Sequence, residues 1–275
     1  MSIGGESGFT RLNYQRQYLN MSEKIPSLHQ MNPQSRFTNR AKDYARYRPS
    51  YSNAVIDCIL DGLDGDRLTA ADIGAGTGIS SRLLADRGVK TIAVEPNAAM
   101  REVAQTHPLV EWNHGNAENT KLSDAAVDLI TCFQAFHWFD PEPTLKEFAR
   151  ILKPLGRLAA VWHNRDRDDK FTSEYSELTR IASNSDSELR YGTEKFLRNT
   201  SKFDPVRHLV FPYRQALNLQ GLVGRAMSTS YIPQTGAKHA QFIQDLTDLH
   251  HQYCDEEGLV YLQYKTSLYL TERSS

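Results

Sequence analysis

Three glycines at alternate positions, Gly74, Gly76 and Gly78, follow the apolar run Leu68 to Ile73 and lead into Ile79 to Arg87, which reads as a helix ended by Gly88. Glycine here admits positive φ and lets a ligand approach the backbone without meeting a Cβ. Strand, glycine turn and helix in this order make the opening unit of a nucleotide-type binding fold. A dinucleotide fingerprint would place its third glycine at position 79, where the chain has Ile79. The spacing is instead Gly-x-Gly-x-Gly, with Ala75 inside it and Asp72 two residues before the first glycine.

Three further stations carry groups that could do chemistry. Glu95, followed by Pro96, ends a second β-branched run, Lys90 to Val94, and lies 21 residues after Gly74. A carboxylate at the end of the second strand can accept hydrogen bonds from both hydroxyls of a ribose; the alternative is a surface glutamate at a strand end. Gly115-Asn116-Ala117-Glu118 follows the apolar Leu109 to Trp112, and the strand Val127 to Phe133 runs into Gln134-Ala135-Phe136-His137-Trp138-Phe139-Asp140. His137 lies just past that strand, and an ordinary imidazole pKa near 6.5 suits proton transfer at neutral pH. Among Phe136, Trp138 and Phe139 it could equally be a packing residue. His163, at the end of the fifth strand, has a similar claim, whereas Asp72 reads as an organiser of the glycine turn or a water-mediated partner of a ligand amine.

These stations resemble the class I methyltransferases that use S-adenosylmethionine. The segment from Asp72 to Gly78 resembles their first motif, and 115–118 resembles a Gly-Asp-Ala-Glu-like segment that cups adenine. Asn116 stands where the family has Asp; its amide oxygen can still accept from the exocyclic amine, with the Ala117 N–H meeting a ring nitrogen. Gln134 to Asp140, together with Asp43-Tyr44, Arg48-Pro49-Ser50-Tyr51 and Leu152 to Leu158, resembles the methyltransferase type 11 group. That group holds the ubiquinone–menaquinone enzymes, and the likeness is nearest to its trans-aconitate methyltransferase subgroup. The resemblance covers 37–165 and implies S-adenosylmethionine as cofactor. It assigns cofactor contacts to Asp72, Gly74, Ala75, Gly76, Gly78, Glu95 and Pro96, then to Asn116, Ala117, Glu118, Phe133 and Gln134. Tyr44 and Arg48 fall at the methionine end, and His137 is the candidate catalytic base.

The elements that must position these groups alternate. Helix Ala98 to Thr106, strand Val110 to Asn113, strand Val127 to Phe133, helix Pro143 to Leu152 and strand Gly156 to His163 imply a parallel sheet with right-handed crossovers. In such a sheet ligands bind beyond the carboxyl ends of the strands, where the glycines, Glu95, Asn116 and Gln134 all fall. The expected fold is α/β, a Rossmann-like three-layer sandwich. Its seven-stranded sheet is mostly parallel, with an antiparallel last strand and helical cap insertions. Residues 1–34 read as a flexible arm, with Met21 as an alternative start, and 35–165 as lid helices plus the cofactor-binding core. A helical cap insertion is expected over 166–205, its opening Asn164 to Lys170 charge run reading as a solvated connection. The last part, 206–275, holds strands Arg207 to Leu217 and Leu259 to Leu270 as an antiparallel pair, with helices Gln220 to Ser228 and His239 to Cys254 between them.

Composition bounds the function. The 275 residues include 32 basic and 33 acidic side chains, a formal net charge of −1, so no general attraction to nucleic acid or an acidic membrane follows. Three widely separated cysteines, Cys58, Cys132 and Cys254, lack metal-type spacing and suit a reduced cytoplasmic protein without a metal. No run of 18 apolar residues is present, and the N-terminus lacks the apolar core of a signal peptide. A monomer or homodimer acting on a small molecule is expected.

Methyl transfer from a sulfonium depends mainly on positioning, because the leaving group is already activated. A hydroxyl or acidic carbon as acceptor also needs a base near the methyl; a carboxylate does not. Arg225, Ser230 and Tyr231, in a polar segment ahead of Pro233, could hold a carboxylate together with His163, although a helix end and turn would look the same. The subgroup resemblance, together with the available arginines, implies a small carboxylic acid as the acceptor. A quinone-like or lipid acceptor methylated on carbon or oxygen, a non-catalytic cofactor-binding protein and a nicotinamide oxidoreductase are the alternatives.

Overall fold

The computed structural model describes residues 38–63, 68–183, 194–229 and 231–274. The expected arm at 1–34 and the candidate substrate residue Ser230 lie outside the described residues.

Seven strands form one sheet: β1 (Thr69–Ile73), β2 (Lys90–Val94), β3 (Val110–Asn113), β4 (Val127–Phe133), β5 (Leu152–Arg165), β6 (Arg207–Leu217) and β7 (Val260–Glu272). Their order is β3-β2-β1-β4-β5-β7-β6. Strands β1 to β5 pair in parallel, while β7 runs antiparallel to both β5 and β6, so β7 alone is reversed. The chain leaves β1 toward β2 and β3 and then crosses back to β4. That reversal opens a crevice at the carboxyl ends of β1 and β4, the place where open α/β sheets bind ligands.

The central strands are apolar on both faces because both are covered. On β4, Leu129 packs with Val55, Ile56 and Ile59 of α2 (Asn53–Leu60) and Leu84 of α3 (Ile79–Ala85). Its neighbour Ile130 packs on the opposite face with Phe148 and Ile151 of α5 (Pro141–Ile151). Each such side chain, fully buried, contributes about 1.5–3 kcal/mol. Helix α1 (Ala41–Tyr47) precedes the sheet, α4 (Ala98–Glu102) follows β2, and α7 (Glu194–Arg198) precedes β6. A third apolar cluster lies among α6 (Lys170–Ser183), α8 (Leu219–Met227) and α9 (Ala237–Tyr253), where Phe171, Leu222 and Leu246 pack against Leu262 of β7.

Several boundaries differ from expectation. Helix α4 stops at Glu102 rather than Thr106, with Val103 as its C-cap. Helix α5 begins at Pro141, because proline is tolerated in the first turn, where its missing N–H would have no partner. Strand β5 starts four residues early through an irregularity: β4 pairs Val127 with Leu152 and then Leu129 with Arg157, with Leu155 at φ 61° between them. It also continues past His163 to Arg165, because β7 supplies partners that far, Lys265 for Asn164 and Tyr264 for Arg165.

Candidate active site

The glycine turn forms as its spacing implies. Gly74, Gly76 and Gly78 have φ of 70°, 59° and 73°, the left-handed region that L side chains avoid. They differ in what surrounds them. A Cβ on Gly74 would lie 2.7 Å from the Ala135 Cβ, so this glycine lets the end of β1 pack against the exit from β4. A Cβ on Gly76 would approach nothing closer than 3.4 Å, pointing between Met100 and the Tyr44 ring. Backbone there is open to a ligand.

The Gly76 N–H donates to Glu95 Oε2 at 2.9 Å, and the Asn97 N–H donates to Glu95 Oε1 at 2.8 Å. Burial raises the Glu95 pKa, and these two amides oppose the shift. A carboxylate offers about four acceptor sites, so two remain for the hydroxyls of a ribose. Glycine cradle and anchored acid fit the adenosine half of S-adenosylmethionine. Asp72 is fully buried and accepts from Ser80 Oγ (2.7 Å), Ser81 Oγ (2.6 Å) and Thr131 Oγ1 (2.9 Å). It joins β1, α3 and β4 beneath the turn and does not face the cleft described next.

The 115–118 segment is similarly tied down. Asn116 Oδ1 accepts from the Asn119 N–H at 2.7 Å, Glu118 Oε1 accepts from the Asp140 N–H at 2.9 Å, and Ala117 is buried. Glu95, Pro96 and these three residues lie on the same sheet edge but outside the main cleft.

That cleft opens at the carboxyl ends of β1, β4 and β5 and draws together Tyr44, Arg48, Gly74, Ala75, Phe133 and Gln134 from the expected cofactor set. His163, Arg225 and Tyr231 from the expected substrate set line it too. Gln134, at φ 54°, donates through Nε2 to the His163 carbonyl at 3.3 Å.

His137 does not line the cleft. Held in a short 3-10 turn, Phe136–Trp138, it is 3% exposed, and its Nδ1 accepts from Trp162 Nε1 at 3.1 Å. Of the two roles open to it, packing matches this placement. His163 lines the cleft with both nitrogens engaged. Its Nε2 lies 2.8 Å from the Ser50 carbonyl and must donate; in the neutral ring Nδ1 then accepts from Thr266 Oγ1, also at 2.8 Å. The ring stacks on Tyr51 with centroids 4.4 Å apart, and burial pushes its pKa down to about 4. This is a neutral, fixed imidazole.

Reading the sequence missed one feature of the site. Arg165, Arg167 and Arg180 join Arg48 and Arg225 in the lining, and among the described lining residues there is no aspartate, glutamate or lysine. The Asn164 to Lys170 run is only partly a solvated connection. Asp166 and Asp168 turn outward to Lys265 Nζ at 2.7 and 2.6 Å, while Arg165 and Arg167 turn inward. The signal was the Arg-Asp-Arg-Asp alternation: β5 runs only to Arg165, and the turn that follows brings Asp166 and Asp168 to Lys265 while Arg167 joins the lining.

The segment ahead of α1 is joined to the end of α8. Arg40 donates to the carbonyls of Met227 (2.8 Å), Thr229 and Ile232 (2.6 Å), at the C-terminal end of α8 and just beyond it. Arg48 donates to the Ser228 carbonyl at 3.1 Å and lies over the Tyr44 ring. Tyr47 packs so closely on Gly224 that no side chain fits there. Among the described residues no helix is long and apolar enough to cross a membrane, and no His, Cys, Asp and Glu cluster could hold a metal.

Comparison with known proteins agrees with this geometry. Residues 71–160 match the methyltransferase domain family. A methyltransferase-like protein of Schizosaccharomyces pombe is 32% identical over 200 residues, 71% of this chain and 78% of its own length. A Mycobacterium bovis methyltransferase is 38% identical over 136 residues, 49% of this chain and 55% of its own. Among solved structures, a protein of Anaeromyxobacter dehalogenans assigned to the type II methyltransferases superposes with a TM-score of 0.62 at 22% identity. It covers 82% of this chain and 97% of its own, and at that identity it speaks for the fold alone. With a related sequence matched over 78% of its length and the glycine turn formed at the switch point of the sheet, the chain belongs to the class I S-adenosylmethionine-dependent methyltransferases.

Proposed function

We propose that this methyltransferase acts on a carboxylate oxygen of a small acidic molecule. The observation that carries the reading is the cleft lining: five arginines, no acidic side chain among the described residues, and a histidine that burial keeps neutral. Such a site attracts an acceptor that is already ionised and offers it no base. Glu95 takes the ribose hydroxyls, Asn116 and the Ala117 N–H take the adenine edge, and Tyr44 with Arg48 takes the methionine end.

S-adenosylmethionine supplies an activated methyl group on a sulfonium. A carboxylate oxygen would receive that methyl in one displacement, the C–S electron pair staying on sulfur. The carboxylate and the sulfonium neutralise one another, so no proton is released. Arg225, with Tyr231 beside it, orients the acid, while the Arg40-anchored lid excludes water. Three free cysteines support a reducing, cytoplasmic setting.

Aromatic lining by Tyr51, Phe133 and Trp162 favours a second reading, a flat quinone-like acceptor. Incubation with methyl-labelled S-adenosylmethionine and both acceptor types separates the two. Base-labile label in acid products is expected; label confined to base-resistant products defeats the ester-forming reaction.

A further inference from the structure

We propose that Tyr51 presents its phenol oxygen to the sulfonium methyl of the bound cofactor, and that His163 is the positioning residue that holds it there. The inference takes the methionine end of the cofactor to lie at Tyr44 and Arg48, as proposed above, and is independent of which acceptor is methylated.

The charge of the cleft creates the need for such a group. Five arginines line it, and among the described lining residues there is no acidic side chain. A sulfonium brought into that field is repelled by all five, so neutral oxygens facing it must offset the repulsion. Methyl hydrogens on a sulfonium carry positive charge, and an oxygen lone pair meets them in C–H···O contacts.

Tyr51 stands where that oxygen is needed. It lines the cleft from the segment between α1 and α2. Its hydroxyl is within electrostatic reach of Tyr44 and Arg48 at the methionine end, of Asp72 beneath the glycine turn, and of Arg225 on the proposed acceptor wall. The oxygen therefore sits at the junction of the two half-sites, which a methyl must cross in passing from one to the other. Burial pushes its pKa well above the ordinary value, so it stays a neutral phenol. A phenolate would draw the arginines onto itself; a phenol leaves them to the ligands.

The ring is held in place by its neighbours. Phe133, at the end of β4, meets it edge-on with centroids 4.6 Å apart and planes at 62°. His163 stacks on it at 4.4 Å and 10°, and the imidazole stacks in turn with Tyr213 of β6 at 5.0 Å and 27°. His163 Nε2 also donates to the carbonyl of Ser50, the residue before Tyr51. One side chain thus sets both the plane of the Tyr51 ring and the main chain that carries it. His163 itself is fixed through Thr266 of β7, so the aim of the phenol is referred to the sheet. This gives His163 a task that requires no proton transfer and no contact with the acceptor, and it accounts for a cleft residue that spends both ring nitrogens on the protein.

The test compares the affinities of the full chain for S-adenosylmethionine and S-adenosylhomocysteine by calorimetry, because the two ligands differ only in the methyl and its charge. In Tyr51→Phe binding of S-adenosylmethionine should weaken about fivefold, while that of S-adenosylhomocysteine changes less than about twofold. His163→Gln can still donate to the Ser50 carbonyl but offers no ring to stack on; it should lower the same preference. The double variant should lose no more than Tyr51→Phe alone, since a phenol that is absent cannot be misaimed. His163→Asn takes the place of the glutamine variant if the latter no longer binds S-adenosylhomocysteine. An unchanged preference in Tyr51→Phe overturns the methyl contact, and losses that add in the double variant overturn the positioning role of His163. Arg48→Ala should weaken both ligands alike, since both carry the same methionine end. If it weakens neither, the placement of the cofactor fails, whatever Tyr51→Phe shows.

Discussion

Gly74 and Gly76 occupy the same turn with the same backbone conformation, yet replacing each by alanine should do different things. Placing an L residue at φ near +60° to +70° costs about 1–2 kcal/mol, offset by about 0.4–1 kcal/mol from a less flexible unfolded chain. For Gly76→Ala nothing is added, because the nearest heavy atom to the new Cβ is the mobile Met100 Cε at 3.4 Å; the net loss is about 1 kcal/mol. For Gly74→Ala the Cβ would meet Ala135 Cβ at 2.7 Å and Phe139 Cζ at 3.1 Å, and overpacking of this kind adds about 1–3 kcal/mol. Thermal unfolding should therefore show Tm lower by about 2–4 °C for Gly76→Ala and by at least about 5 °C for Gly74→Ala. Binding should separate them the other way. The Gly76 Cβ projects toward Tyr44 at 3.8 Å, into the space the cofactor approaches, so S-adenosylhomocysteine should bind this near-normally stable protein at least about tenfold more weakly. Equal Tm losses in the two variants would refute the packing reasoning. Unchanged affinity in Gly76→Ala would refute the placement of the cofactor over the turn.

Three other outcomes follow from the same contacts. Because the folded His163 takes up a proton only near pH 4 whereas the unfolded chain does so near 6.5, the unfolded state binds the extra proton between these values. Stability should thus fall as pH drops through that window, by up to about 3 kcal/mol, and urea unfolding at pH 7, 5.5 and 4.5 should show a flatter dependence in His163→Gln; an unaltered slope would exclude His163 as the source. Arg225→Gln should lower kcat/KM for the acid acceptor by at least about a hundredfold while leaving stability level or higher, since the buried cation has no carboxylate to lose. A loss of several kcal/mol in urea unfolding would instead make Arg225 structural. Arg40→Ala removes charged donors from three carbonyls at and just beyond the end of α8 and should cost about 2 kcal/mol and speed proteolysis within 38–51; an unchanged cleavage rate would mean that the segment ahead of α1 and the end of α8 are not coupled through this residue.

The groups proposed to hold the cofactor were legible in the linear order of residues, because they come from local units. A glycine turn needs only its own φ values, and Glu95 needs only to end the strand that pairs beside β1. Strand–helix alternation likewise dictates a parallel sheet, with such groups at its carboxyl edge. The proposed acceptor half was legible only in part: His163, Arg225 and Tyr231 could be named, whereas Arg165 and Arg180 could not, because its members come from β5, α6, α8 and β7, far apart in the chain, and each has a commonplace local reading. Arg165 looked like part of a solvated charge run until β7 extended β5 past His163 and turned Asp166 and Asp168 onto Lys265. His137 and His163 looked alike as bases; only packing puts one against Trp162, outside the cleft, and fixes the other between Ser50 and Thr266 as a neutral ring. Backbone conformation and strand order follow from short-range pattern, whereas the charge state and direction of a side chain depend on which distant groups bury it, and that is decided only when the sheet, lid and cap close together.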